Sequence, residues 1–188
     1  YSEICHESDK YSNIKLNSLF KIAGSHLLSA SYFYLNCIAG DKKIAQAFYQ
    51  LRKEILLLPR DRIKLKKDIV NMREKIASSH SQSLLDVKYA RGGLTDVEFI
   101  IQYIVLAYSI SYPDLTDNVG NIALLKRAAN HSIIDQSLAQ AVGDAYRAYR
   151  KIAHNQVLHD HPPVDQTQLL QHYATVRELW QQVFKNEC

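Results

Sequence analysis

A chain of 188 residues, 47% of them hydrophobic, can bury the core of one domain, and this composition argues against a disordered protein. The net charge of +4 is too small to indicate nucleic-acid binding by itself. The cysteines Cys5, Cys37 and Cys188 form no CxxC pair, which argues against a disulfide framework and a zinc cluster. We expect a cytoplasmic protein. Because the sequence begins at Tyr1 without a signal-peptide pattern, we also expect a fragment of a longer chain.

The spacing of the apolar residues predicts an all-α fold, since they recur at intervals of three and four and no stretch alternates as a strand does. The six glycines and four prolines fall between these periodic stretches. We expect residues 1–16 to be a leader outside the ordered domain and residues 17–188 to form one helical bundle. The predicted helices cover residues 17–39, 41–57, 61–78, 95–111, 118–130, 135–158 and 167–185.

The helix predicted at about 95–111 is apolar on almost every side. A helix of this kind is typical of the centre of a bundle. Its apolar run is shorter than the roughly 20 residues that span a bilayer, and Gln102 interrupts it, so no membrane span is predicted. The predicted architecture is therefore a helical bundle around a central buried helix.

Residues 52–75 hold a local excess of positive charge, nine lysines and arginines against four acidic residues. Apolar residues between the charges favour a solvated amphipathic helix face. These residues are Ile63, Leu65, Ile69 and Met72. The alternative is a surface for an acidic partner or phosphates. We likewise predict that Arg73, Glu74 and Lys75 lie on a solvated face, with contact to another domain as the alternative.

The stretch "ARGGLTDVEF", residues 90–99, places two glycines before the central helix. Thr95 and Glu98 match a capping box, in which the threonine hydroxyl and the glutamate carboxylate satisfy free backbone N–H groups. Asp96 suits the positive end of the helix dipole, and Gly92 with Gly93 permits a tight turn or a close approach of another backbone. Ordinary capping explains part of this motif, and a phosphate or metal site is the alternative.

Two features of the same stretch point beyond capping. Glu98 and Gln102 lie one turn apart on one face of an otherwise apolar helix, and buried polar groups need partners. Lys88 and Arg91 come just before the helix N-terminus, a combination that favours anions. We therefore keep these four residues as candidates for function.

Two further groups of residues are predicted to be structural. A histidine-rich stretch at the end of the helix over 135–158 has a spacing that gives no convergent face, so we predict no metal site there. Its members are His154, His159, Asp160 and His161. Several tyrosines are predicted to lie in the core or at interfaces rather than to stack on bases. They are Tyr32, Tyr34, Tyr146 and Tyr149.

A resemblance to a known family rests on three motifs. The run "GGLTDVEFIIQYIVL", preceded by "LRKEILLLPRD" and "MREK", resembles the C-terminal, adenylylating half of the bifunctional glutamine synthetase adenylyltransferase/deadenylyltransferase family. The resemblance is strong over residues 40–112, extends to the C-terminus and is weak before Gly40. In that family a nucleotidyltransferase domain precedes a helical bundle. The resemblance implies transfer of AMP from ATP to a tyrosine of glutamine synthetase, with magnesium, under control of the PII signal protein and glutamine.

The catalytic signature that the resemblance implies is a Gly-Ser followed by an Asp-x-Asp pair, whose carboxylates hold the metal ions. Here Gly24 and Ser25 are followed by Ser29-Ala30-Ser31, and no Asp-x-Asp occurs in the sequence. We therefore expect no catalytic residue, metal or cofactor in this chain alone. Mg2+ and ATP are expected in the parent enzyme.

The resemblance also implies that the glycine motif faces the preceding nucleotidyltransferase domain. The residues expected to support that active site are Lys88, Arg91, Gly92, Gly93, Asp96, Glu98 and Gln102. In this prediction Lys88 or Arg91 contacts phosphate, and Glu98 with Gln102 orders the corner. Candidates for further interdomain contacts are Arg60, Arg73, Glu74 and Lys75. The expected partners are that domain, glutamine synthetase and PII, with no membrane and no nucleic acid.

One departure from the family favours a different function. Relatives carry a Trp-Glu and an Arg-Ala-Arg before the Gly-Asp found here at Gly40 and Asp41, whereas Tyr34 and Asn36 occupy the positions of those arginines. The alternative is a non-catalytic protein-interaction domain that retains the family fold. Nucleic-acid binding through residues 52–75 is a third class, which predicts a steep salt dependence of binding.

Overall fold

The computed structural model describes residues 42–80, 86–158 and 165–185, which form six α-helices and one short 3-10 helix. No strand occurs in these three ranges, so the all-α prediction is confirmed for them. The helices are α1 (Lys42–Leu56), α2 (Arg62–Ser79), α3 (Leu94–Tyr108), α4 (Asn121–Asn130), α5 (Gln136–Val157) and α6 (Gln166–Phe184), and the 3-10 helix is Pro113–Thr116. The predicted leader, the predicted helix over 17–39 and the Gly24-Ser25 pair lie outside the described residues.

The centre of the bundle is α3, as the sequence predicts. It packs against α2, α4, α5 and α6. Its buried side chains point in several directions around the helix axis, and each is at most 7% exposed: Leu94, Val97, Ile100, Ile101, Tyr103, Ile104, Val105 and Leu106. Burial of each such side chain contributes roughly 1.5–3 kcal/mol, so the bundle is organised around this helix.

Aspartates fix the starts of three helices. The Asp61 carboxylate accepts hydrogen bonds from the backbone N–H groups of Ile63 and Lys64, at 2.9 and 3.1 Å. Asp135 and Asp165 cap α5 and α6 in the same way. Such a cap is worth about 1 kcal/mol, which explains why the predicted starts of these helices lie within one residue of the observed ones.

The basic segment over residues 52–75 is only partly a solvated face. Arg52 is 3% exposed, and its Nη1 atom donates a 2.6 Å hydrogen bond to the carbonyl of Thr116, which holds α1 against the 3-10 helix. Arg73 is fully buried, whereas Ile63, which we assigned to the apolar face, is 73% exposed. The solvated-face prediction is therefore wrong for Arg52 and Arg73. The buried stripe of α2 is Leu65, Ile69, Arg73 and Ala77.

The segment after α3 also differs from the prediction. The 3-10 helix at Pro113–Thr116 was not expected, and α4 begins at Asn121 rather than near Asn118. Within the described ranges, no helix has both the length and the apolar character required to cross a bilayer.

Candidate functional site

The glycine loop, residues 86–93, folds back on the first turn of α3. The backbone N–H of Leu94 donates to the carbonyl of Val87 at 2.9 Å, and that of Thr95 donates to the carbonyl of Lys88 at 3.2 Å. Gly92 has a φ of +88°, and a Cβ atom there would lie 2.4 Å from the carbonyl oxygen of Tyr173 on α6. A side chain at position 92 is therefore excluded both by conformation and by space. The predicted close approach of another backbone is confirmed.

A buried ion pair holds this loop from inside. Asp96, 3% exposed, accepts a hydrogen bond from the backbone N–H of Gly92 at 2.5 Å and another from Nε of Arg73. Nη2 of Arg73 donates to the carbonyls of Tyr89 and Ala90, at 2.9 and 3.1 Å. Its Nη1 atom is buried without a hydrogen-bond partner, so the Asp96 carboxylate is the main compensation for the buried charge. Arg73 and Asp96 thus connect α2, the glycine loop and α3.

The position of these two residues corrects the sequence interpretation. Arg73 lies in the interior and its hydrogen bonds join parts of this chain, so it is not a surface residue available to another domain. Asp96 is also directed inward, with both carboxylate oxygens engaged. Its action on a neighbouring domain would have to be indirect, through the shape of the glycine loop.

Two tyrosines complete the inner side of the site. The hydroxyl of Tyr149 on α5 donates a 2.9 Å hydrogen bond to the carbonyl of Gly92, and its ring stacks on Tyr173 of α6 with 5.4 Å between ring centroids. Burial raises the pKa of Tyr149 well above its ordinary value, so the hydroxyl stays a neutral donor. The core location predicted for Tyr146 and Tyr149 is confirmed. Tyr32 and Tyr34 lie outside the described residues.

The predicted capping box does not form. The N-cap of α3 is Gly93, and no side chain caps this helix. The hydroxyl of Thr95 donates instead to the carbonyl of Lys88 at 2.8 Å, and the backbone N–H that Glu98 was expected to satisfy is bonded to the same carbonyl. The physical reason is that the loop carbonyls satisfy the first donors of α3, so the helix begins before Thr95.

A second ion pair lies on the outer side of the loop. Arg91 donates two hydrogen bonds to Glu74, at 3.0 and 2.5 Å, and the two side chains are 43% and 56% exposed. The hydrogen bonding between them raises the pKa of Arg91 and lowers that of Glu74. Lys75 is exposed on the next position of α2. The two predicted candidates Arg91 and Glu74 are therefore brought together on the surface.

Lys88 and Glu98 belong to the outer side as well. Lys88 is exposed, its Nζ atom lies 4.9 Å from the centroid of the Tyr89 ring, and the contact with the Tyr89 hydroxyl raises the pKa of Lys88. Glu98 is half-buried, and burial raises its pKa even though Arg150, Lys88 and the Tyr146 hydroxyl stabilise its charged form. Gln102, one turn further along α3, is also half-buried.

A small cavity lies next to Tyr146 and Arg150, two neighbours of Glu98. Its volume is about 350 Å3, and Tyr146 and Arg150 line it together with Asn121. Asn121 is 8% exposed, and its Nδ2 atom donates to the Tyr146 hydroxyl at 2.9 Å. Sequence reasoning missed Tyr146 and Arg150 as neighbours of Glu98, and Asn121 as the partner of Tyr146, because α4 and α5 supply them from distant parts of the chain.

Arg60, another predicted interdomain residue, has a role inside this chain. Its guanidinium donates to the carbonyls of Ile55, Leu56 and Leu58, at 2.6, 3.0 and 2.7 Å. The carbonyls of Ile55 and Leu56 belong to the last turn of α1, where carbonyls lack helical partners, and Leu58 follows that turn. Arg60 therefore caps the C-terminus of α1, and its contact with another domain stays a prediction.

The charged groups that remain on the surface define what the site can do. In residues 42–80, 86–158 and 165–185, no three His, Cys, Asp or Glu side chains lie close enough to hold a metal ion. His154 is exposed on α5, and the other members of the histidine-rich stretch lie outside these ranges. Lys88, the Arg91 and Glu74 pair, Glu98 and Arg150 form a mixed-charge corner. Such a corner suits the binding of charged groups on a partner.

Comparison with known proteins identifies the family. The family model described as GlnD PII-uridylyltransferase matches residues 62–161. A bifunctional glutamine synthetase adenylyltransferase/adenylyl-removing enzyme from Neisseria meningitidis serogroup A is 48% identical over 152 residues. Proteins with the same name from Chromobacterium violaceum and Bordetella bronchiseptica are 45% and 42% identical over 149 and 152 residues.

These alignments cover most of this chain and a small part of each relative. They include 80% of the chain for the Neisseria protein and 79% for each of the other two. The chain spans only 17%, 17% and 16% of the three relatives' own lengths. The matched segments contain the glycine loop and α3, the part of the sequence on which the predicted resemblance rests. The chain belongs to the family of the GlnD PII-uridylyltransferase model, and over most of its length it is similar to bifunctional glutamine synthetase adenylyltransferases.

Proposed function

We propose that this chain is the helical domain that supports AMP transfer to a tyrosine of glutamine synthetase, in the adenylylating half of a longer enzyme. The proposal rests on the contrast between the two sides of the glycine loop. Its inner side is locked by Arg73, Asp96 and Tyr149, whereas Lys88 and Arg91 remain on its surface. A loop fixed in this way presents its charges to a neighbouring domain with little further loss of conformational freedom.

The relatives supply the chemical part of the proposal. Their name combines an adenylyltransferase with an adenylyl-removing activity on glutamine synthetase. By the same reasoning we place ATP and Mg2+ on the preceding nucleotidyltransferase domain, and we take the PII protein as a regulator and the cytoplasm as the location. Each of these assignments belongs to the whole enzyme, of which the chain spans a small part.

The mixed-charge corner is suited to act at an interdomain contact. An exposed Arg–Glu pair is worth at most about 1 kcal/mol, so Arg91 can leave Glu74 at little cost when a better partner arrives. The planar guanidinium of arginine binds carboxylates and phosphates through two parallel hydrogen bonds. Lys88 adds a second cation within the same loop. We assign the preceding domain, or the nucleotide bound to it, as the partner of Lys88 and Arg91.

The experiment replaces Lys88 and Arg91 together by alanine in the full-length enzyme and measures the rate of AMP transfer to glutamine synthetase. We expect the rate to fall by about tenfold or more, because one lost charge-assisted contact of roughly 1.4 kcal/mol corresponds to a factor of ten. The melting temperature should stay unchanged. The matched control replaces the exposed Lys53 and Lys67 by alanine and should leave the rate unchanged. An unchanged rate in the Lys88/Arg91 variant would contradict the proposal.

A non-catalytic interaction domain is the second candidate, and one sequence feature favours it. Tyr34 and Asn36 stand at positions where the family resemblance implies arginines. This candidate predicts that the full-length protein binds its protein partner but transfers no nucleotide. Incubation with labelled ATP and, separately, labelled UTP distinguishes the possibilities. Label from ATP on glutamine synthetase supports the first proposal, and label from UTP on PII would indicate the activity that the family model names.

A further inference from the structure

The α4–α5 groove is a second surface feature, separate from the glycine loop. It has a volume of about 860 Å3 and lies between helices α4 and α5. Its lining includes small and apolar residues from both helices, and no residue of the glycine loop or of the mixed-charge corner lines it. The small and apolar lining residues on the two helices are Ile122, Ala123, Ala129, Ala139 and Gly143.

Gly143 is the first indication that something covers this groove. It lies in the interior of the 22-residue helix α5, where glycine is the poorest helix former except proline. A Cβ atom at this position would meet only Cγ2 of Ile122, at 3.7 Å, which is an ordinary van der Waals distance. Packing among the described residues therefore does not require glycine there. A glycine that the fold does not need leaves room for the backbone of another segment to approach closely.

The charge of the groove is the second indication. Among the described residues that line it, the charged ones are Lys126 and Arg147, and both are basic. Arg147 is paired with Asp144 at 2.5 Å, but this aspartate is not part of the lining. Of the neutral lining residues, Asn130 can donate a hydrogen bond to an acidic group, whereas the Gln140 amide already donates to the carboxylate of Asp144 at 3.2 and 3.4 Å. The groove therefore combines an apolar part with one basic residue from each helix and no acidic residue in the described part of its lining.

We propose that the α4–α5 groove is a docking site for an amphipathic helix that carries acidic side chains on both sides of a small apolar stripe. A third helix fits because the groove lies between two helices, and packed helices lie 8–10 Å apart when small residues permit. Acidic flanks match Lys126 and Arg147. This inference is independent of the proposed function, since no residue of the glycine loop lines the groove.

The probes are two synthetic, fluorescein-labelled peptides of about 18 residues, or five helical turns. Both carry the same alanine and leucine stripe, and the flanking positions are glutamate in one peptide and lysine in the other. We titrate the chain into each peptide and follow fluorescence anisotropy. The acidic peptide should bind at least about fivefold more tightly, the ratio expected for two exposed ion pairs. Equal affinities, tighter binding of the basic peptide, or no binding of the acidic peptide would overturn the proposal.

Charge reversal tests the role of the two basic lining residues. The Lys126→Glu/Arg147→Glu variant should weaken binding of the acidic peptide by about fivefold or more and strengthen binding of the basic one. The matched control reverses the exposed Lys53 and Lys67, which lie on α1 and α2, and should leave the affinity unchanged. If the control variant weakens binding as much as the groove variant does, net charge rather than the groove is responsible and the proposal fails.

Substitutions at Gly143 separate docking from folding. Gly143→Leu should abolish detectable binding of the acidic peptide, whereas Ala174→Leu, on the exposed face of α6, should not change it. In case the leucine variant does not fold, Gly143→Ala provides the second measurement. Its melting temperature should be equal to or above that of the wild type, with affinity about two- to threefold lower. A lower melting temperature for Gly143→Ala would show that the fold itself needs this glycine, and would overturn the inference.

Discussion

Two ion pairs join α2 to the segment around the glycine loop. Both pair an arginine with a carboxylate, but they differ in burial. Arg73 and Asp96 are 1% and 5% exposed at the side chain, whereas Arg91 and Glu74 are 43% and 56% exposed. Arg73 and Glu74 are neighbours in sequence, yet one points into the bundle and the other onto its surface. The difference teaches that charged residues in one short motif can be divided between folding and recognition.

The energetics of the two pairs differ for the same reason. Removing one partner of a buried pair leaves an uncompensated charge in a medium of low dielectric, which costs about 3–5 kcal/mol. Removing one partner of an exposed pair costs at most about 1 kcal/mol, because water replaces it. Mutations on the inner side should therefore change stability, and mutations on the outer side should leave it nearly constant.

The largest effect is expected for Asp96→Ala. This change leaves the Arg73 guanidinium buried without its carboxylate and removes the acceptor of the Gly92 N–H. We expect the free energy of unfolding, measured by urea denaturation at pH 7, to fall by about 3–5 kcal/mol. Glu74→Ala is the matched control on the exposed pair. A loss below about 1 kcal/mol for Asp96→Ala would mean that the buried pair contributes no more to stability than the exposed pair, and would contradict the comparison.

The next effect concerns the glycine that the inner pair holds. Gly92→Ala introduces a side chain where φ is +88° and where its Cβ atom would overlap the carbonyl of Tyr173. We expect a loss of about 2–4 kcal/mol from backbone strain and displacement of α6. Gly143→Ala is the matched control, because the space above Gly143 admits a methyl group. Thermal unfolding should show a lower melting temperature for Gly92→Ala and no decrease for Gly143→Ala, and similar losses in both would show that Gly92 is not specially constrained.

Tyr149→Phe removes one hydrogen bond from the inner side. The carbonyl of Gly92 loses its donor, so we expect a loss of about 1–2 kcal/mol at pH 8. Because burial raises the pKa of Tyr149 above its unfolded value of about 10, stability from this group is present below pH 10 and decreases as the pH rises further. The phenylalanine variant should therefore show a shallower loss of stability above pH 10. An identical alkaline slope in both proteins would mean that Tyr149 is not buried as described.

The smallest effect is expected for Arg91→Ala. The free energy of unfolding should change by less than about 1 kcal/mol, and the change should shrink as salt is added. Urea denaturation at low and high ionic strength measures both quantities. A salt-independent loss of several kcal/mol would show that the outer pair also holds the fold together.

Much of the fold could be predicted from the sequence, because local signals determined it. The apolar run of α3 predicted the central helix, and the predicted starts of α2, α5 and α6 lie within one residue of the observed ones. The paired glycines predicted a tight turn or a close approach of another backbone, and Gly92 makes such an approach to Tyr173. These features depend on residues that are near each other in the chain.

The inner side of the site could not be predicted, because its partners are distant in sequence. Asp96 lies 23 residues from Arg73, and Tyr149 lies 57 residues from Gly92. One signal was present. Arg73 occupies the four-residue spacing of Leu65, Ile69 and Ala77, so its place in the buried stripe of α2 could have been recognised. The capping box failed because backbone carbonyls of the loop compete for the same donors, which local sequence does not reveal.

The most direct test of the two-sided loop is hydrogen exchange at the backbone amide of Gly92. If Asp96 holds this N–H group in the interior, it should exchange as slowly as the amides of Ile100 and Ile101 in the central helix, through global unfolding. Asp96→Ala should accelerate it, whereas Arg91→Ala should leave it slow. Exchange of the wild-type Gly92 amide as fast as that of Asn118, in the exposed segment before α4, would contradict the account.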